Sequence, residues 1–109
     1  MVTQTRKQRD IVFRALADPT RREILSILRG GQQSVGGIAR NFRMSRPAIS
    51  KHLRLLHNAG LVVTRQHGTS NMCSLDPKPL RVVDDWLHDY EAFWSHSLES
   101  LKKRLESQG

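Results

Sequence analysis

The sequence predicts a mainly α-helical domain with one small β-hairpin, in the element order α-α-α-α-β-β-α. Three observations support this fold class. Apolar residues recur at helical spacing in several segments, a stretch rich in β-branched residues follows Gly60, and the length of 109 residues suits about one domain. A chain of this length can bury a single modest core, to which a second subunit would add. We therefore expect residues 1–109 to form one domain.

The first two predicted helices meet at Asp18-Pro19. An amphipathic pattern from Arg6 to Ala17 predicts the first helix, and either Asp18 or Thr20 is placed to cap the second. Pro19 is tolerated in the first turn of a helix, where no backbone donor is required. The second helix ends at the glycines that follow residue 29. Its apolar stripe consists of Ile24, Leu25, Ile27 and Leu28.

A three-residue turn, residues 43–45, joins the third and fourth predicted helices. Ser34 is placed to cap the third helix, which we expect over residues 35–42. Its two glycines each cost about 1 kcal/mol relative to alanine. The fourth helix is predicted from Arg46 to about Asn58 with Ser45 as its cap. Its apolar stripe is Ile49, Leu53 and Leu56, so the opposite face presents Arg46, Ser50, Lys51 and Arg54.

A hairpin and one long helix are predicted for the remainder. Residues 61–67 and 71–75 are predicted strands around a glycine-containing loop. From Leu80 to about Glu106, apolar residues recur at spacings of three and four, which predicts one continuous helix about 37 Å long at 1.5 Å per residue. This exceeds what a compact domain of this size needs, so we expect part of the helix to contact a second copy.

The positive charge is concentrated in the middle of the chain. The net charge is +8, from 18 Lys and Arg against 10 Asp and Glu. Residues 24–75 contain no acidic residue. The basic residues in that interval are Arg29, Arg40, Arg43, Arg46, Lys51, Arg54 and Arg65. A solvated basic face does not explain the complete exclusion of carboxylates, so we favour a polyanionic partner, nucleic acid ahead of an anionic membrane.

Several other classes are disfavoured. One cysteine, Cys73, excludes an intramolecular disulfide, and residues 1–10 lack the apolar core of a signal peptide. No apolar run has the length of a membrane span, and no phosphate-binding loop or nucleophile motif is present. We therefore expect a cytoplasmic protein with no membrane partner, no cofactor and no enzymatic activity. Cys73 is expected as a buried strand residue rather than a redox switch, which would need a resolving cysteine.

A helix-turn-helix over about residues 35–58 followed by a hairpin over about 61–75 is the winged helix-turn-helix arrangement. In it the second helix enters the major groove of DNA. Arg46 lies where it can donate two hydrogen bonds to guanine, and the free backbone amides at Ser45 and Arg46 favour a phosphate. The DNA-contacting residues predicted from this arrangement are Ser45, Arg46, Pro47, Ser50, Lys51, Arg54, Arg65, His67, Thr69 and Ser70.

The segments ALADPTRREILSIL, SRPAISKHLRLLHNAGLV and RQHGTSNMCSL resemble the ArsR/SmtB family of bacterial winged-helix repressors, over roughly residues 10–105. The resemblance implies a homodimer that binds an imperfect inverted repeat until an effector weakens DNA binding. It places DNA contacts on Arg46, Ser50, Lys51 and His52, with Arg65 and the wing behind them. An alternative for His52 is a partly buried histidine that holds its helix to its neighbours.

Arg21 and Arg22 are as well suited to a structural or phosphate-facing role as to base recognition. The resemblance further implies dimerisation through the first and last helices, the last spanning about residues 80–106. The predicted interface consists of Val12, Leu16, Val83, Leu87, Tyr90, Trp94, Leu98 and Leu101. The aromatic residues of the last helix suit this interface, and the alternative is a small apolar effector pocket between subunits. An unidentified small-molecule effector is therefore included among the partners, with operator DNA and a second copy.

The metal sites typical of this family are not matched. Residues 34–42 contain no cysteine, and thiolates are what soft or borderline ions require. A cross-dimer site from Asp84, His88, His96 and Glu99 is the remaining metal-responsive alternative. We predict instead a metal-free repressor that could control its own operon. A further alternative is a structural protein whose DNA affinity hardly depends on sequence.

Overall fold

A computed structural model describes residues 5–108. Residues 1–4 and 109 lie outside the described residues. The predictions of one domain over residues 1–109 and of no signal peptide include some of these positions. The elements follow the predicted order, with one additional short strand and one additional helix. They are α1 (Arg6–Leu16), α2 (Pro19–Arg29), β1 (Gln33–Ser34), α3 (Val35–Ala39), α4 (Arg46–Asn58), β2 (Val62–His67), β3 (Ser70–Leu75), a 3-10 turn (Lys78–Leu80), α5 (Arg81–His88) and α6 (Glu91–Gln108).

Side-chain caps determine where the first helices begin. Thr5 and Gln8 cap α1 reciprocally, each side chain bonding the other residue's backbone N–H. Asp18 caps α2, because its carboxylate accepts the Arg21 N–H at 3.0 Å. The alternative cap that the sequence allowed, Thr20, is therefore not the one used.

The third helix is shorter than predicted. It ends at Ala39 rather than near Phe42, because the backbone amides of Asn41 and Phe42 bond to carbonyls three residues earlier, at 3.1 Å each. The Asn41 side chain also donates to the carbonyl of Gly37 at 3.0 Å. A tightened turn therefore replaces the last helical turn and leads into α4.

The hairpin is part of a three-stranded antiparallel sheet in the order β1-β3-β2. Strand β1 has only two residues, and Gln33 pairs with Cys73 on β3. Its second residue, Ser34, also caps α3 by accepting the Gly37 N–H at 2.9 Å. The short strand therefore ties the start of the helix-turn-helix to the wing.

The core lies where α1, α2, α3 and α4 meet the sheet and α5. Its fully buried large side chains come from three helices, two strands and the connection after α4; they are Ile24, Ile38, Ile49, Leu56, Leu61, Val62 and Cys73. Cys73 is 1% exposed, so its predicted buried position is confirmed. Burial raises the pKa of this thiol, which keeps it protonated and unreactive at neutral pH.

The prediction of one continuous helix from Leu80 to about Glu106 is wrong. Helix α5 ends at His88 and α6 begins at Glu91. At the break, the amides of Asp89 and Tyr90 bond to carbonyls three residues earlier, at 3.3 and 2.9 Å. Neither proline nor glycine marks the break, and the apolar residues keep their spacing of three and four across it in the sequence.

Helix α6 projects from the body of the molecule. The Cα radius of gyration is 18.1 Å, whereas a compact domain of this length has a radius of about 13 Å. Phe93 is 70% exposed and Leu98 65% exposed. Within residues 5–108, no helix combines the length and apolar character needed to cross a membrane.

Candidate nucleic-acid interface

Helix α4 separates an apolar face from a polar one. Ser45 caps it by accepting the Ala48 N–H at 3.2 Å, and Pro47 occupies the first turn. Ile49, Leu53 and Leu56 anchor the helix in the core. The predicted DNA contacts that the structure leaves exposed on this helix and its cap are Ser45, Arg46, Pro47, Ser50, Lys51 and Arg54.

Arg46 lies beside the first turn of α3. A Cβ atom placed on Gly36 would come within 3.9 Å of the Arg46 guanidinium. That separation is an ordinary van der Waals contact, so the Arg46 guanidinium packs against α3 without requiring glycine at position 36.

The wing presents its predicted residues to solvent. Thr64 pairs with Cys73 and lies on the same face of the sheet, with its hydroxyl 3.8 Å from the Cys73 sulfur, so Arg65 lies on the opposite face because strand residues alternate. Gly68, with a φ of +62°, forms the turn between the strands. The exposed wing residues among the predicted contacts are Arg65, His67, Thr69 and Ser70.

The exposed basic residues of this region form what we call the basic surface: Arg40, Arg43, Arg46, Lys51, Arg54 and Arg65. In the described part of the chain, the ion pairs are His52–Asp18, His88–Glu91 and Lys102–Glu106, and none includes a member of the basic surface. Arg40 and Arg43 were absent from the predicted contact set. The carboxylate-free interval was the signal that could have included them.

His52 does not face the exposed side of α4. Its Nδ1 atom lies 3.3 Å from the Arg21 guanidinium and 3.8 Å from the Asp18 carboxylate, and its side chain is 23% exposed. The structure therefore matches the alternative role for His52, a partly buried histidine that holds α4 to its neighbours. Its inclusion among the DNA contacts stays a prediction.

Arg21 and Arg22 both cap the carboxyl end of α1. Arg21 donates from Nε to the Ala15 carbonyl at 2.8 Å and from Nη2 to the Arg14 carbonyl at 2.9 Å. Arg22 donates from Nη1 to the Leu16 carbonyl at 2.7 Å. Of the roles that the sequence left open for these arginines, the structure shows the structural one.

The α2 cap is electrostatically favoured. The Arg21 backbone N–H that donates to Asp18 holds the pKa of the Asp18 carboxyl below its usual value. Partial burial opposes this effect, and the charges of Arg21 and His52 add to it. The ionised carboxylate is thus the form that the folded state stabilises.

The predicted dimer residues divide into three groups. Val12 is 3% exposed and belongs to the core of the single chain, so its assignment to an interface is corrected. Three residues near α1 and α5 are half-buried: Leu16, Val83 and Leu87. The remaining four are exposed at or beyond the α5–α6 break: Tyr90, Trp94, Leu98 and Leu101.

A cleft of about 1220 Å³ lies between α1 and α5. Phe13 and Trp86 lie on its wall, with ring centroids 5.7 Å apart in an edge-to-face contact. Most other residues that line the cleft are charged. The basic ones are Arg6, Arg9, Lys78 and Arg81, and the acidic ones are Asp10, Asp85 and Asp89. Trp86, one of the aromatic residues of the predicted last helix, therefore lines this cleft.

The candidate metal ligands do not form a site within one chain. His88 pairs with Glu91 at 2.9 Å, and both side chains are largely exposed. Among residues 5–108, no three His, Cys, Asp or Glu side chains are close enough to hold an ion.

Residues 18–64 match the family model described as bacterial regulatory protein, arsR family. The HTH-type transcriptional regulator Rv2034 of Mycobacterium tuberculosis is 38% identical over 105 residues, which cover 96% of this chain and 95% of that protein. The transcriptional repressor SdpR of Bacillus subtilis is 38% identical over 79 residues, which cover 72% of this chain and 88% of that protein.

Solved structures share the fold. The crystal structure of the ArsR family transcriptional regulator RHA00566 has a TM-score of 0.76 at 33% identity and covers 86% of this chain and 97% of that one. The solution structure of a homodimeric winged helix-turn-helix DNA-binding domain from Mycobacterium bovis has a TM-score of 0.65 at 26% identity. It covers 88% of this chain and 95% of that one.

Proposed function

Because the chain belongs to the ArsR family of bacterial regulatory proteins, we propose that it is a homodimeric transcriptional repressor that binds an inverted-repeat DNA operator. The observation that carries this proposal is the basic surface, whose side chains are exposed and have no carboxylate partner in the described part of the chain. Exposed, unpaired cations supply the electrostatic affinity for phosphate that DNA binding requires. The whole chain acts as one winged-helix domain.

Recognition divides between base and backbone contacts. Helix α4 enters the major groove, where Arg46 donates to a guanine and Ser50 and Lys51 contact bases one turn later. The capped helix start, with Ser45 and Pro47, approaches a phosphate. The contacts that fix register on the backbone come from Arg54, Arg65, His67, Thr69 and Ser70.

The dimer forms through α1 and the helices α5 and α6. The exposed apolar face of α6 is the surface that a second copy covers, because the chain itself leaves Trp94, Leu98 and Leu101 in solvent. A twofold dimer presents two α4 helices. It therefore recognises two half-sites with centres about 10 base pairs, or a multiple of that, apart.

Regulation does not require a metal ion. This part of the proposal is supported by the absence of a cysteine pair in residues 34–42 and by the pairing of His88 with Glu91 at 2.9 Å. The cleft between α1 and α5 is the candidate site for a small-molecule effector, because its aromatic wall lies at the proposed dimer interface.

The test compares two arginines by fluorescence anisotropy on a selected operator and a random duplex, with and without equimolar zinc. Arg46→Ala is expected to relax base preference at one position per half-site, at a cost of about 1 to 3 kcal/mol each. Arg65→Ala is expected to weaken binding to all duplexes alike. Zinc is expected to leave both affinities unchanged.

Equal losses on both duplexes for Arg46→Ala would contradict its role in base recognition. A zinc-dependent loss of affinity that His96→Ala abolishes would contradict metal-independent regulation and favour the cross-dimer metal site. A wild-type protein that does not distinguish the two duplexes would favour the low-specificity alternative.

A further inference from the structure

Arg21 connects three helices through one side chain. Its Nε and Nη2 atoms donate to the carbonyls of Ala15 and Arg14 at the end of α1, at 2.8 and 2.9 Å. Its Nη1 atom lies 3.3 Å from the Nδ1 atom of His52 on α4. The planar guanidinium thus holds α1 and α4 in a fixed relation, with Arg21 itself in the first turn of α2.

We propose that Arg21 is a positioning residue for DNA recognition, which sets the rotation of α4 relative to the dimerisation helix α1 without contacting DNA. This inference rests on the proposed DNA binding and extends it to a residue outside the interface. His52 is the point at which α4 is held. Asp18 lies 3.8 Å from the same His52 nitrogen, beyond hydrogen-bond distance, so the contact that holds the ring comes from Arg21.

The rotation of α4 matters because base contacts tolerate little displacement. His52 directly follows Lys51 and lies two residues after Ser50, so holding its ring orients both exposed side chains. A rotation of about 20° moves a side-chain tip about 5 Å from the helix axis by roughly 2 Å. That displacement exceeds the tolerance of about 0.5 Å for a preorganised contact. Phosphate contacts, which depend on charge more than on direction, are less affected.

The adjacent arginine provides a matched control. Arg22 also caps α1, through the Leu16 carbonyl at 2.7 Å. Among the described residues, its side-chain hydrogen bond goes to α1 and none goes to α4. Loss of the Arg22 side chain therefore removes an α1 cap of the same kind but leaves the connection to His52 in place.

The experiment measures the ratio of affinities for a selected operator duplex and a random duplex, in the full-length protein. Arg21→Gln is expected to lower this ratio about 10-fold, a coupling within the usual range for contacting residues, whereas Arg22→Gln changes it less than twofold. His52→Leu is expected to match Arg21→Gln, and the double variant to be no worse than either single variant. His52→Asn keeps an acceptor near the Nδ1 position and should retain most of the ratio.

Circular dichroism and sedimentation confirm that each variant is folded and dimeric before its ratio is measured. If Arg21→Gln does not fold, the pair His52→Leu and His52→Asn carries the same test. Equal ratios for Arg21→Gln and Arg22→Gln, or losses that multiply in the double variant, would overturn the positioning role. A wild-type protein that binds neither duplex would overturn the proposed function instead.

Discussion

Single side chains determine how the helices around the DNA interface begin and end. Ser34, Asp18 and Ser45 each accept a backbone N–H at the start of a helix. The local pattern, within three residues of sequence, predicted the caps Ser34 and Ser45 and narrowed the cap of α2 to Asp18 or Thr20. The anchoring of His52 by Arg21 was not predictable, since the partners are 31 residues apart and only the packing of α2 on α4 brings them together.

The Asp18 carboxylate makes stability depend on pH in a defined direction. Its folded-state pKa is lowered from 3.8, so its contribution is present above that value and is lost as pH falls through the folded pKa. Asp18→Asn keeps a capping oxygen but removes the charge. We expect the variant to lose less stability than the wild type between pH 4 and pH 2, measured by urea unfolding.

The matched control is Asp18→Ala, which removes both cap and charge. It is expected to cost about 1 kcal/mol at pH 7. An Asp18→Asn variant whose unfolding free energy falls with pH as steeply as the wild type's would show that Asp18 contributes nothing to acid sensitivity.

Some helices and strands could be predicted from local sequence patterns, and others could not. Helix α4 has the predicted bounds, because Ser45 and Pro47 mark its start and the sequence Ala59-Gly60 its end. Strand β1 has two residues and forms only by pairing with β3 some forty positions later, so no local signal marks it. The apolar spacing of the sequence continues through the break between α5 and α6, so periodicity alone could not reveal it.

A substitution on the exposed face of α6 tests whether this helix forms the dimer interface. Leu98→Asp places a charge on the proposed interface, where burial without a partner is costly. We expect the variant to sediment as a monomer at micromolar concentration, at which the wild type is a dimer. Helix content by circular dichroism should change little, because Leu98 is already 65% exposed in the single chain.

Lys103→Asp is the control on the opposite face of α6, about 140° around the helix from Leu98. It is expected to remain dimeric although its charge change is larger. A Leu98→Asp variant that stays dimeric, or a wild-type protein that is monomeric, would exclude α6 as the dimer surface.

The whole molecule separates two kinds of surface along its length. The central residues 24–75 carry the basic surface and no carboxylate, whereas residues 81–108 carry most of the exposed large apolar side chains and six of the ten acidic residues. The net charge of +8 reflects the basic surface, and the radius of gyration of 18.1 Å reflects the projecting helix α6. One half suits DNA and the other suits a second copy of the chain.

Selection of bound duplexes from a random DNA library by the full-length protein tests the central claim most directly. The account predicts enrichment of an inverted repeat whose half-site centres are about 10 base pairs, or a multiple of that, apart. It also predicts that Arg46→Ala loses preference at one symmetric position in each half-site. Recovery of no preferred sequence would contradict the account, as would a single unpaired site bound equally well by Arg46→Ala.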